Sequence, residues 1–373
     1  MPIYMDRHIV PGITLADATE AHNLDVAIQD DYDCKAITFW LDEERGCAFC
    51  LIEAPNQEAV KELHNDAHGL IPHEIVEVEE NLVMAFLGRI SDPKSESGLS
   101  TGSDAIFYDT AYRAIMVAHL FEAALIPSKY GKIRGQELFS IHSNIIGAAI
   151  NRHNGREVCQ TGDGYMASFA SVEESVNCAV EIQKEFEKND SKLDENLKVA
   201  IGVSSGDPVA GKDELFGEAI QLAKRLCYLS TGRKKILLSS EVMEKFGVNR
   251  LRILSQSIAV ESLSPDEENF LNKLMNITEK TWDQPEFTLD NFCVRIGLSR
   301  SQLYRNITAL TGQSFVDFIK DFRLKRALKL IEKDQDNITQ AAFGSGFNNP
   351  SYFSKCFKER FGMLPSEFAK TIR

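Results

Sequence analysis

The sequence predicts a multidomain protein with an α+β domain first, an α/β domain second and an all-α domain last. Its 373 residues allow two to four domains. Short strand-like apolar runs alternate with helical segments in the first two thirds, whereas helical spacing and Gly-containing turns fill the last third. We place the domains at residues 1–92, 112–263 and 264–373, with a linker over 93–111 whose residues 93–104 are rich in Ser and Gly.

Composition narrows the class of protein. Of the residues, 43% are hydrophobic and 26% are charged, no apolar run is long enough to span a membrane, and the N-terminus lacks a signal-peptide pattern. Collagen, coiled-coil, disordered and secreted disulfide-rich classes are excluded. The eight cysteines are therefore expected to be reduced thiols in a cytoplasmic protein. Cys47-x-x-Cys50 lies in a predicted strand, where positions three apart point to opposite faces, so we favour buried packing over a metal or redox motif.

Charge is distributed unevenly along the chain. The formal net charge is −14, which by itself argues against a nucleic-acid partner. Residues 266–373 nevertheless hold 16 Lys/Arg and 14 Asp/Glu, whereas the rest of the chain holds 25 and 41. Residues 295–333 alone hold nine basic and three acidic residues. This pattern is typical either of a nucleic-acid-binding module on acidic regulatory domains or of a solvated helix face, and the motifs must decide between them.

The N-terminal domain is predicted to have the βαββαβ organisation of a ferredoxin-like fold. The predicted strands and helices are, in chain order, Ile3–Asp6, 15–33, Ala36–Leu41, Cys47–Glu53, 56–67 and Glu77–Glu79. Three segments carry a resemblance to a known family: Met1-Pro2-Ile3-Tyr4-Met5-Asp6-Arg7-His8, Phe49-Cys50-Leu51-Ile52-Glu53-Ala54-Pro55 and His64-x-x-x-His68-Gly69. They resemble a small bacterial family described as nickel-binding, over most of this domain.

A metal site in this domain is one of two interpretations. His64 and His68 lie four residues apart at a helix end, so they share a face and can chelate one ion. His8, Cys50 and Glu53 would complete a mixed nitrogen, oxygen and sulfur set suited to Ni or Zn. In the alternative interpretation, these are capping and strand-face residues of a small α+β domain.

The middle domain alternates strands and helices. The predicted elements are a strand at Ala114–Ala118, a helix at Ile141–Ile150, a β-hairpin at Gly155–Phe169, a helix at Ala170–Phe186, a strand at Leu197–Gly206 and a helix that begins near Phe216. Thr161-Gly162-Asp163-Gly164, Gly206-Asp207-Pro208 and Gly217-x-x-x-Gln221-x-x-x-Arg225 occur in that order. This arrangement resembles the catalytic domain of class III nucleotide cyclases, which implies a cyclase-like, ferredoxin-related α/β fold.

The resemblance implies two-metal attack of a ribose hydroxyl on the α-phosphate of a nucleoside triphosphate. Compared with the family's catalytic residues, His119 stands in place of the first-strand carboxylate. Cys159 stands in place of the purine-reading Lys, and Gln221 stands in place of the Asn of the Asn/Arg pair that stabilises the developing charge. The remnant of the site would be Asp163 as second carboxylate, Glu214 as base-reading carboxylate and Arg225 as charge stabiliser. One carboxylate cannot hold two Mg²⁺ ions, and neutral His is a poor ligand for Mg²⁺, so we predict that this domain is not an enzyme.

We therefore expect the middle domain to serve dimerisation or ligand sensing. Cyclase active sites form between two subunits, so the resemblance implies a homodimer. A turn residue beside two glycines is the simpler interpretation of Asp163. The alternative is an active nucleotide cyclase with unusual metal ligands.

The C-terminal domain begins with a helix-start signal and a first helix-turn-helix unit. In Ser264-Pro265-Asp266-Glu267, Ser can cap, Pro fits the first helical position and Glu can complete a capping box. Residues 287–305 then predict a short helix, a turn at Gly297, and a second helix capped by Ser299 with Gln302 three residues later.

A second unit of the same kind follows. It has a turn at Gly346, an N-cap at Asn349 and a buried stripe of Phe353, Phe357 and Phe361. Between the units, Phe315, Phe318, Ile319 and Phe322 form an apolar stripe that predicts one long helix over residues 314–333.

Two motifs identify this arrangement. They are Arg323-Leu324-x-x-Ala327 in the connecting helix and Gly346-Phe347-x-x-x-Ser351-Tyr352-Phe353-Ser354-x-x-Phe357-Lys358-x-x-Phe361-Gly362-x-x-Pro365 in the second unit. They resemble the AraC family of transcription regulators, which implies two helix-turn-helix subdomains that read successive major-groove segments of double-stranded DNA. Contacts to phosphates and base edges are expected from Arg300, Ser301, Gln302, Arg305, Asn348, Ser351, Tyr352, Lys355 and Lys358.

The sequence as a whole predicts a cytoplasmic, DNA-binding transcription regulator of the AraC type, with sensing and dimerisation domains before it. Its expected partners are double-stranded DNA, RNA polymerase, a second copy of the chain, and a metal ion or small-molecule effector, with no membrane. Ni or Zn in the N-terminal domain is the expected cofactor. Besides an active cyclase, the remaining alternative is a metal-handling protein.

Overall fold

The computed structural model describes residues 1–92, 110–161, 164–193, 198–209, 214–233, 235–254, 258–333 and 337–372. Most of the predicted linker lies outside the described residues, and so does Asp163. The described residues form two β-sheets with associated helices and a C-terminal group of helices, which confirms the predicted fold class. None of the helices in these ranges combines the length and the apolar character needed to cross a membrane.

The first sheet has the predicted βαββαβ connectivity. Its elements are β1 (Ile3–Ile9), α1 (Leu15–Ile28), β2 (Lys35–Asp42), β3 (Cys47–Glu53), α2 (Gln57–His68) and β4 (Glu74–Val78), and α3 (Glu80–Leu87) follows. The strand order is β2-β3-β1-β4, with β1 antiparallel to both neighbours. Thr14 begins α1 with a capping box to Asp17, and Gly69 ends α2 in the left-handed region with φ of 77°.

Alternation along β1 divides the two faces of this sheet. Asp6 contacts His64 of α2, so the even-numbered residues of β1 point toward the helices. Met5 points to the opposite face. Because Asp6 pairs with Cys50 and Met5 with Leu51, strand β3 continues both faces. The side beneath the helices therefore combines apolar packing with the polar residues Asp6 and His8, and the opposite side is apolar and available to another layer.

The second sheet repeats this connectivity and extends it. Its elements are β5 (Arg113–Leu120), α4 (Ile126–Tyr130), α5 (Lys132–Arg152), β6 (Arg156–Thr161), β7 (Gly164–Phe169), α6 (Val172–Leu193), β8 (Val199–Gly206), α7 (Gly217–Arg233), β9 (Ile236–Leu238), α8 (Ser240–Phe246), α9 (Val248–Leu254) and β10 (Val260–Ser262). The strand order is β10-β9-β8-β5-β7-β6, in which β9 and β10 add in parallel to an antiparallel core. Helix α7 lies close over β8, since a Cβ on Gly202 would be 2.3 Å from the Cys227 nitrogen.

The two sheets pack against each other through their apolar faces. Met5, Phe49 and Leu51 of the first sheet share one core with Ile115 and Val117 of the second, and each of these side chains is at most 2% exposed. This burial removes large apolar side chains from water on both sides of the contact, which makes it the main attraction between the two domains.

Ion pairs join the two domains at the edge of this apolar contact. Arg45, in the turn between β2 and β3, lies 3.0 Å from Asp207 and 2.8 Å from Glu241 of the second domain. The Tyr112 ring lies 4.0 Å beneath the Arg45 guanidinium, and its hydroxyl donates to Glu241. Because both carboxylates belong to the second domain, the charged edge reinforces the apolar contact.

The C-terminal helices are α10 (Pro265–Thr281), α11 (Leu289–Ile296), α12 (Arg300–Thr311), α13 (Phe315–Lys333), α14 (Ile338–Gly344), α15 (Pro350–Phe361) and α16 (Pro365–Ile372). Ser264 and Ser299 both make the predicted capping boxes, and Asn349 caps α15. The connecting helix α13 begins one residue later than predicted. Leu271 and Leu274 of α10 share a core with Leu226 and Leu229 of α7, so apolar packing continues across the proposed boundary at residue 264.

Several predicted element bounds differ from those observed. Strand β1 extends to Ile9, and β4 begins at Glu74 because Arg7 of β1 pairs with Glu74. Helix α1 ends at Ile28, where the chain continues as a 3-10 turn over Gln29–Tyr32. Helix α5 begins nine residues earlier than predicted, at Lys132, directly after Gly131.

Candidate functional site

The two recognition helices of the C-terminal domain, α12 and α15, are built alike. They begin 50 residues apart, at Arg300 and Pro350, and each is capped by the preceding residue. Leu303 and Ile307 form the buried side of α12, and Phe353 and Phe357 occupy the equivalent positions of α15. Each helix is therefore held by an apolar back, which leaves a polar front for a partner.

The polar fronts are exposed and contain most of the predicted DNA-binding residues. All nine predicted residues are exposed: Arg300, Ser301, Gln302, Arg305, Asn348, Ser351, Tyr352, Lys355 and Lys358. Arg305 and Lys355 occupy equivalent positions near the centre of each front. Tyr304, which the sequence analysis did not select, is 59% exposed beside Arg305. Its exposure could not be read from the sequence, because an aromatic residue inside a helix is usually part of the core.

Several of the nine residues already have partners within the chain, and among them Lys355 Nζ lies 3.9 Å from Glu359 Oε1. Arg300 donates from Nε to Asp290 Oδ1 at 2.6 Å, and Gln302 accepts from the Ser299 backbone as part of the capping box. Arg300 must therefore give up Asp290 before it can contact DNA, whereas Gln302 contributes chiefly to the start of the helix. The exposed Arg300–Asp290 pair is expected to be weak because water and salt screen it.

The motif residues of the connecting segment have packing roles. Arg323 donates to the carbonyl oxygens of Trp282 and Gln284, which joins α13 to the end of α10. Gly346 has φ of 79°, and a Cβ there would lie 2.6 Å from the Trp282 oxygen. Both positions thus hold the two units around α13 rather than reach for a ligand.

A cluster of histidines and carboxylates lies between the first sheet and its helices. His64 is fully buried, with Nε2 at 2.9 Å from Asp6 Oδ2 and Nδ1 at 3.1 Å from Asp25 Oδ1. His68 Nε2 lies 3.1 Å from His64 Nδ1, and His8 Nε2 lies 3.1 Å from Asp6 Oδ1. Strand β1, helix α1 and helix α2 each contribute to the cluster.

Metal-ligating atoms converge here in two overlapping groups. The first group is Asp6, His8, Cys50 and His64, and the second is Asp25, His64 and His68. Within each group, the candidate ligand atoms lie within 4.8 Å of one another. The cluster includes four of the five predicted metal residues and adds Asp6 and Asp25. Asp6 had a signal in the sequence, because Asp6 and His8 are two apart in a strand and so share a face.

Glu53 does not belong to either group. It is three residues from Cys50 in β3, so its side chain points to the opposite face of the sheet. Its carboxylate accepts from the Met1 amino group at 3.2 Å. The prediction that Glu53 joins Cys50 in a metal site is therefore corrected by strand geometry.

Charge in the cluster is balanced by a protonated imidazole. Burial by itself lowers the pKa of His64, but the carboxylates of Asp6 and Asp25 outweigh it and raise this pKa to about 10. Burial by itself raises the pKa of Asp6, but the imidazoles of His64 and His8 hold it well below its ordinary value. Burial, Asp6 and Asp25 raise the pKa of the Cys50 thiol well above its usual range. At neutral pH the cluster therefore contains a His64 cation between two carboxylates and a protonated thiol.

The chemistry of this donor set fits a borderline divalent cation. Imidazole nitrogens, carboxylates and a thiol are the ligands that Ni²⁺ and Zn²⁺ accept. His8 Nε2 is buried at 3.1 Å from Asp6 Oδ1, in poor hydrogen-bond geometry, so both atoms can serve as ligands of one ion. The ring nitrogens of His64 and His68 face each other, an arrangement that a shared proton or a cation stabilises.

The cyclase-like positions are occupied by other contacts. The His119 ring packs against Gly164, where an added Cβ would lie 2.4 Å from it. Cys159 and Glu214 are exposed, and Asp163 lies outside the described residues. Arg225 is buried and donates to Asn272 at 2.7 Å and to Asn276 at 2.6 Å, both on α10. The remnant therefore presents one exposed carboxylate and an arginine that is committed to the C-terminal helices.

Two family models match the ends of the chain. Residues 292–371 match the model described as a helix-turn-helix domain, and residues 4–78 match the model described as nickel responsive protein SCO4226-like. These matches confirm the C-terminal resemblance to an AraC-type helix-turn-helix domain, and they match the N-terminal domain to a family described as nickel responsive.

Named relatives match parts of the chain. The HTH-type transcriptional activator RhaR of Salmonella schwarzengrund is 28% identical over 155 residues, which are 41% of this chain and 54% of that protein. The Histidine kinase P4 of Formosa agariphila is 34% identical over 127 residues, which are 32% of this chain and 9% of that protein. The chain thus spans about half of one relative and less than a tenth of the other.

Solved structures match other parts. SCO4226 from Streptomyces coelicolor is 36% identical, and the match covers 20% of this chain and 94% of that chain with a TM-score of 0.20. The guanylyl cyclase Cya2 is 20% identical, and the match covers 36% of this chain and 78% of that chain with a TM-score of 0.32. Each is similar to a segment of the chain rather than to the whole.

Removal of His64 is expected to destabilise the metal-free protein strongly. His64→Ala leaves Asp6 and Asp25 buried without their cation, which typically costs about 3–5 kcal/mol. Because folding raises the pKa of His64 to about 10, its contribution is complete below the unfolded pKa near 6.5 and is lost as pH rises through about 10. The stability difference between wild type and variant should therefore be largest near pH 6 and smallest near pH 10.

Urea unfolding in the presence of a chelator measures this difference. The matched control is His73→Ala, which removes an exposed imidazole of the same domain and should cost less than about 1 kcal/mol. A His64→Ala cost that is equally small, or one that grows toward pH 10, would contradict the ionic cluster.

Proposed function

We propose that the chain is a sequence-specific DNA-binding transcription regulator of the AraC type. The observation that carries this proposal is the pair of capped recognition helices, α12 and α15, whose exposed fronts face away from the two apolar cores that they form with α13. Arg305 can form the bidentate contact that specifies guanine, and Asn348 can pair with a base edge. Lys355 and Lys358 are suited to phosphate. RNA polymerase contact, homodimer formation and a cytoplasmic location stay predictions of this proposal.

The charge distribution supports the same proposal. The acidic excess belongs to the first two domains, whereas α12 and α15 supply exposed cations on the recognition fronts. A net charge of only +2 in residues 266–373 limits non-specific attraction to DNA. Specific binding would therefore depend on base contacts more than on bulk charge.

DNA binding by the full chain should be specific and sensitive to salt. A duplex selected from a random library is titrated with wild type and variants by fluorescence anisotropy. Arg305→Ala is expected to weaken binding by about 1–3 kcal/mol and to relax the preference at one base pair. Lys355→Ala should weaken all sequences alike and lower the salt slope by about 1, because one phosphate contact is lost.

Lys188→Ala is the matched control, since Lys188 is an exposed cation on α6 in the middle domain. It should leave both affinity and salt slope unchanged. The recognition surface is wrong if the library yields no enriched sequence, or if Arg300→Ala, Arg305→Ala and Lys355→Ala together leave binding intact.

We propose that the N-terminal domain binds a divalent transition-metal ion as the effector of this regulator. His8, His64 and His68, together with Asp6, Asp25 and Cys50, would hold the ion. The ion would supply the positive charge that the His64 proton supplies in its absence. Metal binding must then release protons from His64 and Cys50, because their pKa values are raised in the metal-free cluster.

Calorimetric titration of the full chain with Ni²⁺ and with Zn²⁺ tests this proposal. Wild type should bind at least one of the ions more tightly than millimolar, with a heat that depends on the buffer because protons are released. His8→Ala should weaken binding at least about tenfold, because mutation of even the outer-shell partners of a metal site typically costs about 10- to 100-fold in affinity. Glu53→Gln is the matched control and should bind as wild type does. If Glu53→Gln loses metal binding while His8→Ala binds as wild type does, Glu53 rather than His8 is a ligand and the proposed site is wrong.

We infer that the middle domain is not a catalyst. Arg225, the position of the charge stabiliser, is held by two asparagines of α10 and is not free to meet a nucleotide. His119 stands where a carboxylate would be needed to bind Mg²⁺, and it packs against Gly164. An active cyclase would have to move α10 away before Arg225 could contribute.

The purified protein should make no cyclic nucleotide from ATP or GTP with Mg²⁺ or Mn²⁺. The measurement is chromatographic detection of product after long incubation, with an active cyclase as the positive control. Turnover that disappears on Asp163→Ala would show that the domain is a working enzyme.

A further inference from the structure

The loop that follows β5 contacts the second helix-turn-helix unit at three points. We define the docking loop as residues 121–130, a segment that includes the short helix α4. Its Glu122 accepts from Arg360 of α15 at 2.6 Å, and its Ser128 hydroxyl bonds to the Thr371 hydroxyl of α16. Its Leu125 is fully buried in the same core as Phe353 and Phe357 of α15. Polar and apolar contacts thus join the middle domain to the second unit.

Arg360 is the centre of a partly buried ion network. Its Nε donates to Asp321 of α13 at 2.6 Å, while its Nη1 donates to Glu122. Lys129 approaches the other Glu122 oxygen at 2.9 Å. Burial by itself raises the pKa of Glu122, but the bonds from Arg360 and Lys129 outweigh it and lower this pKa. The network is therefore fully ionised at neutral pH. Its side chains are partly shielded from water, so the ion pairs can stabilise the contact between the docking loop and the second unit.

The backbone of the docking loop is constrained at the same residue. Glu122 has φ of 52° and ψ of 35°, which is the left-handed region that residues other than Gly rarely adopt. This conformation turns the chain sharply at the end of β5 and places Glu122 and Leu125 against the second unit. A residue kept in such a conformation by its surroundings is often tied to function.

The first unit is held by the middle domain at a separate place. Arg225 of α7 donates to Asn272 and Asn276 of α10, and Tyr228 of α7 packs against Phe318 and Phe322 of α13. The middle domain therefore holds the first unit through α7 and the second unit through the docking loop. Helix α13 joins the two units, so their relative orientation is fixed at three points.

The docked state leaves the DNA-facing side of α15 free. Arg360 and Phe357 lie on the side of α15 that faces the framework, whereas Ser351 and Lys355 lie on the exposed side. The docking loop thus orients the second recognition helix without covering it. This geometry argues against an inhibitory contact.

We propose that Glu122 and Leu125 of the docking loop are positioning residues that fix the second helix-turn-helix unit relative to the first, so that both units bind one duplex together. The proposal rests on the DNA-binding function proposed above. Two linked units gain affinity from each other only when their geometry lets both bind at once. Loss of the contacts made by the docking loop should therefore reduce the cooperation between the two units. The affinity of the first unit for DNA should stay unchanged.

Anisotropy titrations of the full chain on three duplexes test this proposal. The first duplex carries the selected site, the second has one base pair inserted between its halves, and the third has the half read by the second unit scrambled. Glu122→Gln and Leu125→Ala are compared with Glu137→Gln, which removes an exposed ion pair with Arg134 in the same domain. Glu122→Gly is added because glycine adopts the left-handed backbone without strain while the whole side chain, with its carboxylate, is removed.

On the selected duplex, the three docking-loop variants should bind about tenfold more weakly than wild type, which equals about 1.4 kcal/mol. On the scrambled duplex they should match wild type. The inserted base pair should cost wild type much more affinity than it costs the variants, because an unfixed second unit tolerates altered spacing. Glu137→Gln should match wild type on all three duplexes. An equal loss on the selected and scrambled duplexes, no loss at all, or a gain in affinity would overturn the proposal.

Amide hydrogen exchange without DNA provides a second measurement. The amides of α14, α15 and α16 should exchange faster in Glu122→Gln and Leu125→Ala, while those of α11 and α12 should not change. Unchanged exchange in α14–α16 would show that the docking loop does not hold the second unit. If wild type selects no DNA sequence, the proposed DNA-binding function is wrong. Hydrogen exchange then still shows whether the docking loop holds the second unit.

Discussion

Strand β1 is the element on which the rest of the structure depends, because its two faces serve two different contacts. One face carries Asp6 and His8 beneath the helices, and the other carries Met5 and Arg7 toward the second domain. The period of two in a strand makes this division unavoidable. A shift of β1 by one residue would move the histidine cluster into the apolar core and the core residues into the cluster. The cluster and the sheet-on-sheet contact are therefore specified by the same register.

Local signals predicted the C-terminal domain well. The starts of both recognition helices are marked by Ser299 with Gln302 and by Asn349 before Pro350. Phenylalanines spaced four residues apart mark the buried side of α15. Such signals operate within one or two helical turns, so a sequence reveals them directly. The exposed state of Tyr304 was not predicted, because it depends on which helices pack beside α12.

The cluster of histidines and carboxylates was predicted only in part, because it is assembled from distant segments. The pairing of Asp25 with His64 joins α1 to α2 across 39 residues, and no local pattern indicates it. Glu53 was misassigned for a simpler reason. The alternation that separates Cys47 from Cys50 also separates Cys50 from Glu53, and it was applied to the first pair alone. Arg225 shows a related limit, since its asparagine partners on α10 become visible only when the C-terminal helices are placed against α7.

The continuous apolar core between α7 and α10 has a consequence for the modularity of this protein. The helix-start signal at Ser264 divides the chain into domains, yet Leu226 and Leu229 lie on one side of that division and Leu271 and Leu274 on the other. A recombination event at Ser264 would leave apolar side chains of α10 facing water, at a cost of about 25 cal/mol for each Å² exposed. Exchange of the DNA-binding part between relatives would be tolerated best when α7 travels with it, or when the recipient offers a helix of matching shape. The domain boundary marked in the sequence and the boundary of the apolar core are thus offset by one helix in this chain.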